Sequence, residues 1–260
     1  MNKILIFSKR NLKELLRDPL IYIFCIGFPF IMLVLFQVIN KYTGGKTPMF
    51  ELRSLLPAML AFSYTFVMLI TALNISKDRQ TSFLKRLYTS PMKSHDFIFG
   101  YALVSVLIGI AQTIICVLSG FIISLITQAD FPSFGEILLL SVSQFPILLA
   151  NVFLGILFGT IFNDKSAPGV CSIFINFAGI LGGCWMPLES MGNFETFCRF
   201  LPYYPSVYLG RVITHATNNL GLVYTFDATA ALGIIPIALF TAVSIALSFI
   251  VFKKNMTNDK

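Results

Sequence analysis

Six long apolar runs, at 20–39, about 55–75, 97–127, 137–162, 167–186 and 228–252, alternate with shorter polar segments along this chain. A bilayer core about 30 Å thick takes roughly 20 helical residues to cross, and each run is at least that long. None carries Asp, Glu, Lys or Arg in its interior. A charge at the centre of a span would cost about 2.5 kcal/mol or more, so this emptiness is what lipid demands. The pattern predicts six transmembrane helices. The third run is longer than a span needs, which predicts a tilt or a continuation beyond the membrane. Pro29, Pro57, Pro146 and Pro236 lie inside runs. Spanning helices tolerate proline because neighbouring helices satisfy the freed carbonyls.

Three polar segments have patterns of their own. In 1–18, Ile4, Leu5, Leu12, Leu15 and Leu16 share an arc of roughly 120° on a helical wheel, with Ile6 and Phe7 outside it. The basic residues fill the other side, which predicts an interfacial helix lying on the membrane and ended by Pro19. In the loop KDRQTSFLKRLYTSPMKSHD, Phe83, Leu84, Leu87 and Tyr88 recur at helical spacing before Pro91. A short amphipathic helix there lies on the membrane or enters a groove on a soluble partner. In 188–225, Phe194, Phe197, Phe200 and Leu201 form one stripe, and Val207, Tyr208, Val212 and Ile213 another. Pro202 and Pro205 separate the two. They predict two short helices dipping into the outer leaflet or capping the spans.

Charge sets the expected orientation. With both termini inside, 14 of the 19 basic residues fall in inside segments, leaving Lys41, Lys46, Arg53, Arg199 and Arg211 outside. The positive-inside rule selects that arrangement. The net charge of +7 then belongs next to anionic headgroups rather than nucleic acid. The chain is 56% hydrophobic and 12% charged, against about 25% charged in soluble domains. No cleavable signal peptide is expected, because the first run is of full span length and no small-x-small site follows it.

Candidate chemistry is sparse. NKYTGGKT ends like a phosphate-binding loop, but Asn40 stands where the first glycine belongs, no strand precedes it, and its side is outside. His95 and His215 have no neighbouring ligands at metal spacing, so no metal site is expected. The five cysteines lack ligand spacing; Cys184 and Cys198 flank the outer loop, where free thiols are preferred to a disulfide. No intramembrane carboxylate marks an ion relay, and no catalytic constellation is present. Gln37, Thr71, Gln112, Gln144, Asn151 and Asn176 supply the polarity inside the runs, and such groups hydrogen-bond between helices or line a path. Gly155/Gly159 and Gly179/Gly183 permit close helix contact, within the chain or between copies.

The order of these features resembles the permeases of type-2 ABC exporters: an interfacial helix, two spans, a loop with FLKRLYTSPM, then LGGCWMPLESM followed by LPYYPSVYLGR. The likeness covers essentially the whole chain. It departs from the family pattern at Asp78-Arg79, where Glu-Arg is common, and at Met191-Gly192, where Met-Pro is common. The resemblance implies an all-α single domain over 1–260, in a bacterial-type plasma membrane, paired with a second permease subunit. It implies a separate ATPase that binds ATP and Mg, since this chain has no nucleotide site. The 83–88 segment would be the coupling helix, with Asp78, Arg79, Phe83, Leu84, Leu87 and Tyr88 at the ATPase junction. Thr71, Asn74, Asn176, Trp185 and Glu189 would mark a path for a drug, antibiotic, peptide or lipid-linked glycan. A channel or carrier not driven by ATP is the competing reading.

Overall fold

A computed structural model describes residues 3–45, 47–81, 84, 92–218 and 221–258. The chain is all-helical, with α1 (Lys3–Leu15), α2 (Pro19–Tyr42), α3 (Leu52–Gln80), α4 (Ser94–Thr127), α5 (Phe134–Ile161), α6 (Ala167–Leu181), α7 (Asn193–Arg199), α8 (Tyr203–Ile213) and α9 (Ala228–Asn258). Among the described residues the sole extended pairing is an isolated bridge between Thr217 and Val223.

Local chemistry sets the helix ends. Pro19 opens α2 and Asp18 caps it, its carboxylate accepting from the Leu20 N–H at 3.0 Å. Pro29 has no N–H to return to Cys25, and the turn before it, Tyr22–Gly27, widens to π-helix, with the Phe28 N–H reaching Ile23 five residues back. A reciprocal pair starts α5: Ser133 Oγ accepts from the Glu136 N–H, and Glu136 Oε2 accepts from the Ser133 N–H at 2.7 Å.

Five helices, α2, α3, α4, α5 and α9, are long and apolar enough to cross a membrane. The fifth run differs from expectation. It forms a 15-residue helix, about 22 Å long, where a 20-residue span over 167–186 was predicted. Gly182 and Gly183 end it, and Gly183 takes the left-handed conformation at φ +66° that a glycine adopts without strain. The turn after it packs on α3: Cys184 Sγ lies 3.4 Å from the Ala58 carbonyl, in the second turn of that helix.

α3 is the centre of the bundle, and its most apolar window is wholly buried. Its closest partner is α5. A Cβ on Gly155 would stand 2.6 Å from the Met68 carbonyl, and one on Gly159 would stand 2.6 Å from that of Ala72. This glycine pair is therefore a seam within the chain. The other long helices cover α3 and part of α5 and turn apolar faces outward, among them Ile31 of α2, Leu125 and Ile126 of α4, and Leu239 and Ile250 of α9, and Val142 of α5 is exposed beside them. A belt of exposed aliphatic side chains on this scale needs lipid rather than water against it.

α1 lies across one end of the bundle. Its Phe7 ring sits edge-on to Phe97 and Tyr101, with centroids 5.4 and 5.0 Å away, over Gly100, where a Cβ would meet the ring at 2.4 Å. Phe7, Ser8, Asn11 and Leu15 face the protein, whereas Leu5, Ile6 and Leu16 are exposed. The predicted apolar arc is thus split between protein and surroundings, and Phe7, which lay off that arc, is the main anchor. α7 and α8 occupy the opposite end. Pro205, expected between the two short helices, falls in the first turn of α8, where its missing N–H costs nothing.

Candidate functional site

The α1 end gathers the charged residues. Asp78, 3% exposed, closes the last turn of α3. It accepts two hydrogen bonds from the Arg10 guanidinium, at 3.1 and 3.0 Å, and one from the Tyr101 hydroxyl at 2.6 Å. Three helices, α1, α3 and α4, therefore meet on one carboxylate. Burial works against the Arg10 charge, yet Asp78 and Glu14 outweigh it and hold the guanidinium above its ordinary pKa. Arg79 reaches the other way, donating to the carbonyls of Gly159 at 3.2 Å, Thr160, and Phe162 at 3.5 Å. These are the orphan acceptors at the end of α5, where a cation also complements the helix dipole. Asn255 Nδ2 of α9 donates to the Thr160 carbonyl at 2.9 Å. Lys77 pairs with Asp18 at 2.9 Å, and Gln80 with Asp164. The last turn of α3 is thus bonded to α1, to α4, to the cap of α2, to the end of α5 and to the α5–α6 connection, and α9 joins the same end through Thr160.

Asp78→Ala is expected to cost about 2–3 kcal/mol, since it removes the buried carboxylate that Arg10 and Tyr101 share. Thermal unfolding in detergent measures this; a shift within error of wild type would show that the three-helix tie contributes nothing.

Of the predicted coupling helix, Phe83, Leu87 and Tyr88 lie outside the described residues. Leu84 is described, is helical, and is wholly buried among the chain's own apolar side chains.

The predicted path residues are not brought together. Thr71 is buried on α3, its hydroxyl 2.7 Å from the Val67 carbonyl and 2.8 Å from Ser105 Oγ of α4. Asn74 is buried beside a small recess between α1, α2 and α3. Asn176 is exposed on α6, bonding back to the Ser172 carbonyl at 2.8 Å. Trp185 packs edge-on to Phe62, centroids 5.0 Å apart, and against Gly179. Glu189 belongs to the α8 end.

That end holds a cluster the sequence reading missed. Arg211 of α8 is 2% exposed. It donates to the Gly183 carbonyl at 2.9 Å and the Ser54 carbonyl at 3.5 Å, and it pairs with Glu189 at 3.6 Å. The Tyr224 ring lies 5.9 Å from the guanidinium, and the Tyr224 hydroxyl donates to Glu189. Burial disfavours charge on both partners: it lowers the Arg211 pKa, and it raises that of Glu189 more than Arg211 lowers it. Nearby, Arg53 joins α3 to the α4–α5 connection through Asp130 at 2.7 Å and to the first turn of α5 through Glu136 at 3.1 Å, and holds the Asp130 carboxyl below its ordinary value.

Several uncharged polar groups of the spans also pair within the chain. Gln144 and Ser206 exchange hydrogen bonds at 2.8 and 2.7 Å, fastening α8 to α5. Tyr203 donates to Asn151 at 2.9 Å, and Gln112 to the Ser63 carbonyl at 3.0 Å. All five cysteines are free and buried, including Cys184 and Cys198. Among the described residues no group of His, Cys, Asp and Glu is placed to hold a metal.

A multi-pass helical bundle, belted with exposed aliphatic residues and tied by charges at both ends, defines an integral membrane domain. Residues 2–215 match the family model for the ABC-2 type transporter, so the chain belongs to that family, as the membrane permease domain of a type-2 ABC transporter. A search of curated proteins finds no match.

Proposed function

We propose that the chain is the permease subunit of an ATP-driven exporter that moves an amphipathic or lipophilic substrate outward. In this reading it crosses the plasma membrane six times, with α6 and the turn after it as the fifth crossing and both termini in the cytoplasm. The convergence of α1, α2, α4 and α5 on the last turn of α3 supports it most directly, because the 81–93 connection leaves from that turn. A force applied to the loop by a soluble partner is delivered through Asp78 to α1 and α4 and through Arg79 to α5. That partner is a separate ATPase carrying ATP and Mg, and its cycle favours one permease conformation over another. A second permease copy or a related chain completes the path. The exposed face of α6, with Asn176, borders that path, which leads toward Trp185 and Glu189. Thr71, bonded to α4, and Asn74, beside the recess between α1 and α2, join it when those helices move on α3.

The test is co-purification with the ATPase, followed by ATPase stimulation. Leu87→Glu is expected to abolish the complex with the melting temperature preserved. Leu84→Glu, which places a carboxylate in the core, is expected to lower the melting temperature first. Unchanged assembly and stimulation by Leu87→Glu would sink the coupling role of 83–88. Substrate movement that persists without any ATPase would favour a channel or carrier.

A further inference from the structure

The recess between α4 and α5 belongs to neither charged end and has no part in the coupling scheme. The two helices touch where Gly109 meets Leu148; a Cβ on Gly109 would stand 2.3 Å from Leu148 Cδ1. They rejoin at their short connection, residues 128–133. Between those two points lies a recess of about 450 Å³, within the usual range for small-molecule sites. Ile110, Ile114, Val142 and Phe145 line it and are exposed, near the middle of two spanning helices, so the mouth opens into the hydrocarbon of the bilayer.

Its polar groups share one chemical character. Thr113 Oγ1 lies 2.9 Å from the Gly109 carbonyl and donates to it. With the Thr113 proton on that carbonyl, Tyr64 is the donor in their 2.8 Å pair, and the lone pairs of the tyrosine oxygen are left to accept. Ser141 has its proton on the Ile137 carbonyl at 2.8 Å. Pro146 has no N–H to give to the carbonyl of Val142, one turn earlier on the same wall. The wall therefore presents acceptors whose own protons are committed, and no charged residue lines it.

We propose that this recess binds a neutral lipophile that carries a hydrogen-bond donor, a hydroxyl on a long hydrocarbon body, entering sideways from the bilayer. An ion would find no countercharge there. A bare hydrocarbon chain would leave the acceptors facing apolar groups, at a cost that a donor removes. The inference stands apart from the exporter reading, since it concerns binding by this chain alone.

The experiment uses the full-length permease in lipid nanodiscs and a photoactivatable long-chain alcohol, with its methyl ether and the matching carboxylic acid as controls. Labelled positions are read by peptide mass spectrometry. The alcohol is expected to label residues 110–114 and 141–145 saturably and about fivefold more than the ether, the effect of a single hydrogen bond. Ile114→Trp, at the lipid-facing mouth, is expected to remove this labelling and leave the melting temperature unchanged. Tyr64→Phe is expected to bring the alcohol down to the level of the ether. Equal labelling by alcohol and ether, labelling spread evenly over the lipid faces of α2 and α9, or labelling that survives Ile114→Trp would each overturn the proposal.

Discussion

Arg211→Ala is expected to cost about 3–5 kcal/mol, the range for removing one partner of a buried charge pair. The carbonyls of Gly183 and Ser54 lose their donor, Glu189 loses its countercharge, and the face of Tyr224 loses its cation. These groups belong to three segments: the α6–α7 connection, with Gly183 and Glu189, the first turn of α3, and the connection before α9. For a chain of this size the loss corresponds to a fall of about 10 °C in the melting temperature. Arg211→Lys is expected to recover only part of it, because a single ammonium cannot reproduce the guanidinium fork. Arg199→Ala provides the contrast. Arg199 is a half-exposed residue paired with Glu195 four positions earlier on α7, and its loss is expected to cost about 0.5 kcal/mol or less. Similar melting temperatures for Arg211→Ala and Arg199→Ala would show that the buried cluster is not what holds the α8 end together.

The sequence made the spans legible for a simple physical reason. Lipid excludes charge, and the ends of the charge-free runs fall close to the helix ends: 20–39 against Pro19–Tyr42, 137–162 against Phe134–Ile161. What apolarity does not measure is helicity. The fifth run stays apolar through Cys184, Trp185 and Met186, yet Gly182 and Gly183 end the helix before them. Both glycines are visible in the sequence, but there Gly183 pairs with Gly179 as a contact motif.

Pairing was less legible, because hydrogen bonds such as that between Gln144 and Ser206 join residues far apart in the chain. Arg211 was read as one of the outside charges, although it follows Val207 and Tyr208 on an apolar stripe, the placement that marks a buried cation. For α1 the arc was drawn as if one environment set it. The helix answers to two, with Phe7 and Leu15 on protein and Leu5 and Leu16 exposed. Asp78 and Arg79 were singled out by resemblance, and their roles in the structure, a three-helix tie and a helix cap, depend on partners that no local pattern announces.

Gly155→Leu combined with Gly159→Leu is expected to leave the helices inserted but prevent α5 from closing on α3. The seam admits no side chain. A Cβ at either position would meet backbone carbonyl oxygens at 2.6 Å, and the Cβ atoms of Thr71 and Ile75 at 2.7 and 2.8 Å. Contacts of this kind replace the hydrophobic effect as the source of helix association in lipid, where burial from water contributes nothing further. Overpacking costs about 1–3 kcal/mol per site even where side chains can yield, and here backbone has to move. The consequences extend beyond the seam, because Arg79 caps α5 and Asn255 reaches Thr160 only while the two helices are in register. Gly169→Leu in α6 is the control, since a Cβ there meets no atom within 4 Å and the variant is expected to behave as wild type. Thermal stability and resistance to limited proteolysis in detergent separate the variants. A double variant whose protomer stays stable while its association with a second copy is lost would place these glycines between subunits instead, and would overturn the packing of α5 on α3 as the basis of the bundle.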